Sequence, residues 1–291
     1  MKIPFIENLF SKPPLIAGLD PNIDSLPNFL KNSWKSDIYS LLVSYYSEAL
    51  PVLAPHISAV KPNIAFFEQY SIEGLRAFQW VSAFSKDLKI PVIADIKRGD
   101  IGSTAEAYAN AYLRSNNNLA HSFYADAITV NPFLGFDTLE PFIKACEETG
   151  KGIFVLVRTS NSGAKDLQDA KLDALTASEK IAEFLNKNAN RLMDSSGYSA
   201  LGAVVGATHP EEAKHLRNLM PKNLFLIPGY GAQGGTAKDA VASFNSDKRG
   251  GLINVSRGLF QIDQNLDKET WKEKLLKRVL NFNNELKTAL K

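Results

Sequence analysis

Short apolar runs alternate with longer stretches of helical periodicity along the whole of this sequence. Apolar positions that recur every three or four residues indicate amphipathic helices, whereas brief and nearly continuous apolar runs are typical of buried strands. The pattern predicts eight strands, at residues 15–20, 57–61, 91–97, 127–131, 152–158, 201–207, 224–229 and 251–256. Helices are predicted between and after them, near residues 37–53, 70–88, 103–115, 137–149, 174–194, 210–219, 236–245 and 268–289.

The alternation of strand and helix indicates the fold class. It implies a parallel sheet with crossover helices, and eight such units in about 250 residues match a closed (β/α)8 barrel, the TIM barrel. An open, doubly wound α/β sheet is the alternative, but it usually carries a Gly-x-Gly-x-x-Gly turn after its first strand. Here Gly18-Leu19-Asp20-Pro21-Asn22 follows instead. We therefore expect a single α/β barrel domain over residues 1–291, with a short N-terminal extension and a C-terminal helix.

Composition narrows the class of protein. Hydrophobic residues make up 45% of the chain and charged residues 22%, which is ordinary for a globular protein. The net charge is +2 without a basic stripe, which predicts no nucleic-acid partner. No apolar run reaches membrane-span length and the N-terminus lacks signal-peptide features, so we expect a cytoplasmic protein without membrane contact. Cys146 is the single cysteine, which excludes an internal disulfide framework and a cysteine-rich zinc site.

The segment 94–104, Ala-Asp-Ile-Lys-Arg-Gly-Asp-Ile-Gly-Ser-Thr, joins the end of a predicted strand to the loop after it. Because side chains alternate faces along a strand, Asp95 and Lys97 share one face. Burying a carboxylate and an ammonium there has a desolvation cost that packing does not require. Asp100 adds a second carboxylate three residues later, where the chain has turned. Two acids and a base at a strand end indicate a reaction site.

The alternative for this segment is a surface ion pair at the start of a helix, with Ser103 or Thr104 as the N-cap. The other predicted strands argue against it, because most of them also end on polar or charged groups. A barrel enzyme places its chemistry at the carboxyl ends of its strands. The groups at those ends are Asp20, Lys61, Asn131, Arg158-Thr159-Ser160, Thr208-His209, Gly229 to Gln233, and Ser256-Arg257-Gly258.

The last two strand ends predict a phosphate site. The loop 228–236 has four glycines in nine residues and leads into a short helix, so that its backbone N–H groups can approach an anion. Arg257 follows the eighth strand, and its planar guanidinium suits phosphate oxygens. The alternative for the glycines alone is a tight turn without a ligand. After the fifth strand, the polar stretch 160–173 is long enough to be a mobile lid.

Segment 94–104 resembles the Asp-x-Lys-x-x-Asp signature of the orotidine 5'-phosphate decarboxylase family, in its longer bacterial branch. The other motifs fall in the order that family uses, and the resemblance spans residues 13 to 262. They are Gly18-Leu19-Asp20-Pro21, Val60-Lys61-Pro62-Asn63, the glycine-rich loop with Gln233, and Ser256-Arg257-Gly258. The chain is longer than the compact members of that family, and no role is assigned to the extra residues near 31–37, 114–122 and 160–173.

The resemblance implies conversion of orotidine 5'-monophosphate to UMP and carbon dioxide, with no metal and no organic cofactor. By that resemblance, Lys97 protonates pyrimidine C6 and Asp95 lies near the departing carboxylate. Lys61 and Asp100 complete a Lys-Asp-Lys-Asp network. The resemblance also implies a homodimer in which Asp100 and Thr104 reach into the partner's site.

The resemblance also assigns residues to the ribose, the phosphate and the base of the substrate. Asp20 and Lys61 would hold the ribose hydroxyls, and Gln233 and Arg257 would bind the phosphate. Ser160 would hydrogen-bond the base, with Thr159 and Ser162 as neighbouring alternatives.

Two other functions compete with this one. A sister enzyme on the same barrel, such as 3-keto-L-gulonate 6-phosphate decarboxylase or hexulose phosphate synthase, would need Mg²⁺ and an extra acid near the second strand. That strand ends Lys61-Pro62-Asn63, and we interpret Glu68 as the start of a helix. A catalytically silent barrel that binds a nucleotide or a protein is the second rival. It would be expected to have lost one of the four network residues, and all four are present.

Overall fold

The computed structural model describes residues 3–33, 37–114, 123–231 and 234–291. All eight predicted strands form: β1 Leu15–Leu19, β2 Ala59–Pro62, β3 Ile93–Arg98, β4 Ala127–Val130, β5 Gly152–Arg158, β8 Ser199–Val205, β9 Asn223–Ile227 and β10 Gly251–Val255. Between β5 and β8, two further short strands, β6 Lys171–Leu172 and β7 Leu175–Thr176, form a separate hairpin. The eight lie parallel in one sheet, in the order β2-β1-β10-β9-β8-β5-β4-β3. Parallel bridges from Val60 to Val92 and from Asn63 to Asp95 join β2 to β3 and close the sheet. The predicted α/β barrel is thus confirmed.

Helices connect successive strands and cover the barrel. They are α1 Pro4–Phe10, α2 Asn28–Lys31, α3 Ile38–Leu53, α4 Ala65–Glu68, α5 Ser71–Asp87, α6 Gly102–Tyr112, α7 Glu140–Thr149, α8 Ala164–Gln168, α9 Ala177–Asn188, α10 Pro210–Leu219, α11 Ala237–Val241, α12 Arg257–Phe260 and α13 Lys268–Ala289. Short 3₁₀ turns lie at Ile23–Ser25, Ala54–His56, Phe136–Leu139 and Ala189–Leu192. Within the described ranges, no helix is long and apolar enough to cross a membrane.

Several segments differ from the sequence expectation, among them the short helices α2, α4 and α12, which form where no helix was predicted. The helix predicted at 174–194 is α9 followed by a 3₁₀ turn, and the one predicted at 236–245 is the single turn and a half of α11. Segment 160–173 contains α8 and the first strand of the hairpin, and α1 precedes the barrel. Helices α1, α8 and α11 are too short for a periodic pattern to show, since helices are recognised over windows of about 11–18 residues.

The core fills the barrel and the layer between strands and helices. Every residue of β1, β2, β4, β8 and β9 is buried. Cys146 is buried on α7. Because the strand interiors are apolar, three of the buried charged residues stand out, since they lie in strands of the barrel: Lys61, Asp95 and Arg158.

Candidate active site

Asp95 lies between two lysines at the carboxyl end of the sheet. Its Oδ2 is 2.6 Å from Lys61 Nζ, and its Oδ1 is 2.5 Å from Lys97 Nζ. The side chains of Asp95 and Lys61 are 8% and 7% exposed, whereas that of Lys97 is 48% exposed. The predicted meeting of Asp95 and Lys97 is therefore confirmed, and neighbouring β2 adds Lys61. The ammonium of Lys97 remains open to a ligand.

Electrostatics keep the buried part of this cluster charged. Burial alone would lower the pKa of Lys61, but the negative charges of Asp95 and Asp20 outweigh it and raise the pKa above its usual value. Burial would likewise raise the pKa of Asp95, but the charges of Lys61 and Lys97 hold it well below the usual range. Lys61 and Asp95 therefore stay ionised across neutral pH.

The backbone at Lys97 is strained. Lys97 has φ +48°, a left-handed conformation that costs a residue with a side chain about 1–3 kcal/mol. The β3–β4 register shifts at the same place, from Ala94 opposite Ile128 to Arg98 opposite Val130. An advance of four residues along β3 thus matches an advance of only two residues along β4. Such bulges and strained residues concentrate at functional sites, where they re-aim a side chain.

Thr129 on β4 connects the strained backbone to the carboxylate. Its Oγ1 accepts a hydrogen bond from the Lys97 N–H at 2.9 Å and donates one to Asp95 Oδ1 at 2.9 Å. Sequence reasoning missed this residue. The signal was a polar side chain in the otherwise apolar run Ala127–Val130, where alternation places Thr129 on the same face as Ala127 and Asn131.

Asp100 and Thr104 lie just beyond β3, and among the described residues no hydrogen bond or ion pair joins either of them to the triad of Lys61, Asp95 and Lys97. The Asp100 carboxylate accepts the Ile101 N–H at 2.8 Å, and no lysine in the described part of the chain is ion-paired with it. Thr104 is exposed. Helix α6 begins at Gly102 after Ile101, without a side-chain cap. The alternative in which Ser103 or Thr104 caps this helix is therefore wrong.

Asp20 follows β1 and offers a free oxygen. Its Oδ2 accepts the Ser256 hydroxyl at 2.6 Å, while its buried Oδ1 has no hydrogen-bond partner among the described residues. A buried acceptor without a partner is costly unless a ligand satisfies it. Gly18 pairs with Lys61 across β1 and β2, which brings Asp20 near the triad.

The candidates at the end of β5 differ in what they contact. The Thr159 hydroxyl is held by Gln168 at 2.8 Å and by Asn161 at 2.6 Å, and Ser162 is exposed. Ser160 lies half-buried against β8, where a Cβ on Gly206 would come within 3.0 Å of it. Within the described ranges, the Ser160 hydroxyl has no partner, which leaves it open to a ligand.

The segment 160–173 is tied to the barrel. Buried Arg158, the last residue of β5, binds Glu212 on α10 and lies 3.2 Å from Asp169. The Gln168 side chain also accepts the Thr159 N–H at 2.9 Å. These contacts fix the position of the segment in this structure, and its role as a mobile lid remains a prediction.

The glycine-rich loop and Arg257 follow neighbouring strands, β9 and β10. Gly229, Gly231 and Gly234 have φ between +81° and +101°, a region that other residues rarely adopt. Arg257 is exposed and forms no side-chain ion pair with any described residue. Gln233 lies outside the described residues. The loop and the arginine thus follow neighbouring strands at the carboxyl edge of the sheet, and the phosphate site remains a prediction.

Comparison with known proteins shows the family of the chain. The orotidine 5'-phosphate decarboxylase / HUMPS family matches over residues 14–270. An orotidine 5'-phosphate decarboxylase of Rhodopirellula baltica is 38% identical over 93% of each chain, and one of Petrotoga mobilis is 40% identical over 89% of each. The solved structure of Leishmania donovani OMP decarboxylase has a TM-score of 0.71 and 30% identity, and the match covers 96% of this chain and 98% of that one. The chain belongs to the orotidine 5'-phosphate decarboxylase family.

Membership of the orotidine 5'-phosphate decarboxylase family confirms the predicted resemblance and the class of enzyme, a carboxy-lyase. The two relatives carry the name of the decarboxylase, which favours it over the magnesium-dependent enzymes of the same barrel. Glu68, interpreted above as the start of a helix, instead ends α4 and pairs with Arg98 at 2.8 Å. Over the described ranges, no three His, Cys, Asp or Glu side chains are grouped so that they could hold a metal ion.

Proposed function

We propose that this enzyme converts orotidine 5'-monophosphate to UMP and carbon dioxide without a metal or organic cofactor, and that Lys97 protonates C6. The observation that supports this most is the pairing of a half-exposed lysine with a buried, ionised Asp95–Lys61 pair. The test is to supply orotidine 5'-monophosphate to the enzyme in the presence of EDTA, which chelates free metal ions, and to measure the UMP formed. Turnover only of a sugar phosphate with added Mg²⁺ would favour the sister enzymes instead.

The chemistry follows from charge. The bond between C6 and the carboxylate carbon breaks, carbon dioxide leaves, and the electron pair stays on C6. An ammonium fixed beside C6 stabilises this developing negative charge more than it stabilises the substrate, which is what catalysis requires. The proton of Lys97 then bonds to C6, and the lysine amine takes a new proton from solvent. Asp95 keeps the ammonium oriented, and its charge lies near the departing carboxylate.

The remaining contacts of the substrate follow from the groups that lack partners. The free Oδ1 of Asp20 suits a ribose hydroxyl, with Lys61 beside it. Ser160 is the residue we assign to the base, because the Thr159 hydroxyl is already bonded and Ser162 is exposed. Arg257, together with Gln233, binds the phosphate. Phosphate binding far from C6 supplies energy for ordering loops over the site.

Replacement of Arg257 with alanine should reduce kcat/KM about 10- to 100-fold, because one charge-assisted hydrogen bond is worth about 1.5–3 kcal/mol. Most of the loss should appear as a higher KM. Steady-state kinetics on orotidine 5'-monophosphate check this. The matched control is Arg249→Ala, an exposed arginine before the amino end of β10, which should leave both constants unchanged. An unchanged KM in Arg257→Ala would remove this residue from the phosphate site.

We infer that the active enzyme is a homodimer that shares its sites. Asp100 carries no ion pair within the described part of its own chain, and Thr104 and the 63%-exposed Ile101 lie beside it. A second copy would place Asp100 next to Lys97 of the first and complete the four-residue network. Cytoplasmic location is likewise a proposal of ours, in keeping with this biosynthetic reaction.

Mixing two inactive variants tests the shared site. Lys97→Ala and Asp100→Asn should each be nearly inactive alone. After the subunits exchange, the mixture should regain up to about a quarter of wild-type activity, since half of the dimers are mixed and each of these has one intact site. Turnover by the mixture and its mass by light scattering are the measurements. A dimeric mixture that stays inactive would show that each chain supplies its own Asp100.

A further inference from the structure

The hydrogen bonds of Thr129 have a fixed direction. A backbone N–H only donates, and the ionised Asp95 carboxylate only accepts, so the single hydroxyl proton of Thr129 must point at Asp95 while a lone pair receives the Lys97 N–H. Both bonds measure 2.9 Å, and Thr129 is 1% exposed. Water therefore cannot replace either bond without a rearrangement of the strand.

These two bonds act where the sheet is irregular. The register shift between β3 and β4 removes the regular pairing opposite Lys97, and the left-handed backbone of that residue has to be held by its surroundings. The Thr129 hydroxyl supplies the acceptor that the interrupted ladder lacks. It also gives Asp95 Oδ1 a second donor beside the Lys97 ammonium, so the carboxylate is held from both sides.

We propose that Thr129 is a positioning residue for the reaction: its hydroxyl fixes the backbone and the carboxylate partner of Lys97 together, and thereby sets where the ammonium stands relative to C6. The proposal rests on the proposed function. Thr129 reaches the reacting atoms only through Lys97 and Asp95. Its loss should therefore slow the chemical step and leave substrate binding nearly unchanged.

The test compares Thr129→Val, which keeps the branched shape and removes both hydrogen bonds, with Thr129→Ser, which keeps the hydroxyl. For Thr129→Val we expect kcat to fall about 10- to 100-fold, the order of loss that follows a misplacement of about 1 Å. KM and the Kd for UMP should change less than about threefold, well below one tenfold step in affinity. Thr129→Ser should recover most of the lost kcat. If Thr129→Val does not fold, Thr129→Ala takes its place against Thr129→Ser.

The outcomes separate this inference from the function on which it rests. A wild type that releases no UMP would overturn both. An active wild type with an unimpaired Thr129→Val would overturn the positioning role alone. So would a Thr129→Ser as slow as the valine variant, or a loss confined to KM, because neither depends on how the hydroxyl holds Lys97.

Discussion

Replacement of Lys97 with alanine should lower kcat on orotidine 5'-monophosphate by at least about 10³-fold. A single preorganised electrostatic group contributes about 10²–10³-fold and a general acid about 10²–10⁴-fold, and Lys97 is proposed to supply both. Its ammonium is the exposed end of the triad, 2.5 Å from Asp95, so no other group within the triad can replace it at C6. Single-turnover and steady-state rates measure the loss.

Binding should survive the same substitution. The Kd for UMP should change little in Lys97→Ala, because the groups assigned to ribose and phosphate, Asp20 and Arg257, remain. Lys214→Ala is the matched control: this exposed lysine on α10 pairs with Glu211, and its loss should leave kcat unchanged. A single catalytic group contributes more than about tenfold to the rate. If Lys97→Ala keeps kcat within about tenfold of wild type, Lys97 does not have the proposed role at C6.

Replacement of Asp95 with asparagine should both inactivate and destabilise the enzyme. The neutral amide would leave Lys61 buried without its counter-ion, and breaking a buried pair by removing one partner costs about 3–5 kcal/mol. The free energy of unfolding, from denaturant titration at neutral pH, checks this. Glu68→Gln breaks the half-exposed pair with Arg98 and serves as control; its cost should be at most about 1 kcal/mol.

The destabilisation should depend on pH with a defined sign. The pKa of Asp95 in the folded state lies below its ordinary value, so its charge stabilises the fold fully above the unfolded pKa of about 3.9. That contribution is lost as the pH falls from there towards the folded pKa. The difference in unfolding free energy between wild type and Asp95→Asn should therefore shrink below pH of about 4. A difference that is small at neutral pH, or the same at every pH, would show that the Lys61–Asp95 pair contributes little.

The strands and their polar ends could be predicted because both follow from local rules. Alternation of side chains along β3 was enough to place Asp95 with Lys97, and the parallel sheet places their neighbours Lys61 and Asp20 at the same edge. Short elements such as α8 and the β6–β7 hairpin carry too few residues for a period to show. Their positions depend on tertiary contacts such as that of Arg158 with Asp169, which no periodic sequence pattern encodes.

Thr129 could not be assigned from the sequence for a different reason. A threonine in a buried strand fits the propensity of strands as well as it fits a site. Only the bulge, with Lys97 at φ +48°, brings its hydroxyl to both the Lys97 N–H and Asp95. Asp100, by contrast, was assigned by resemblance alone, because its proposed partner lies on a second copy of the chain and no single-chain pattern can show that contact.

The most direct test of the account follows the loss of orotate absorbance from orotidine 5'-monophosphate in the presence of EDTA, for wild type and Lys97→Ala side by side. Wild-type turnover should survive chelation, and turnover should collapse in the variant. Wild-type turnover that vanishes with EDTA and returns with Mg²⁺ would contradict the cofactor-free chemistry. A variant that still turns over at the wild-type rate would contradict the central place of Lys97.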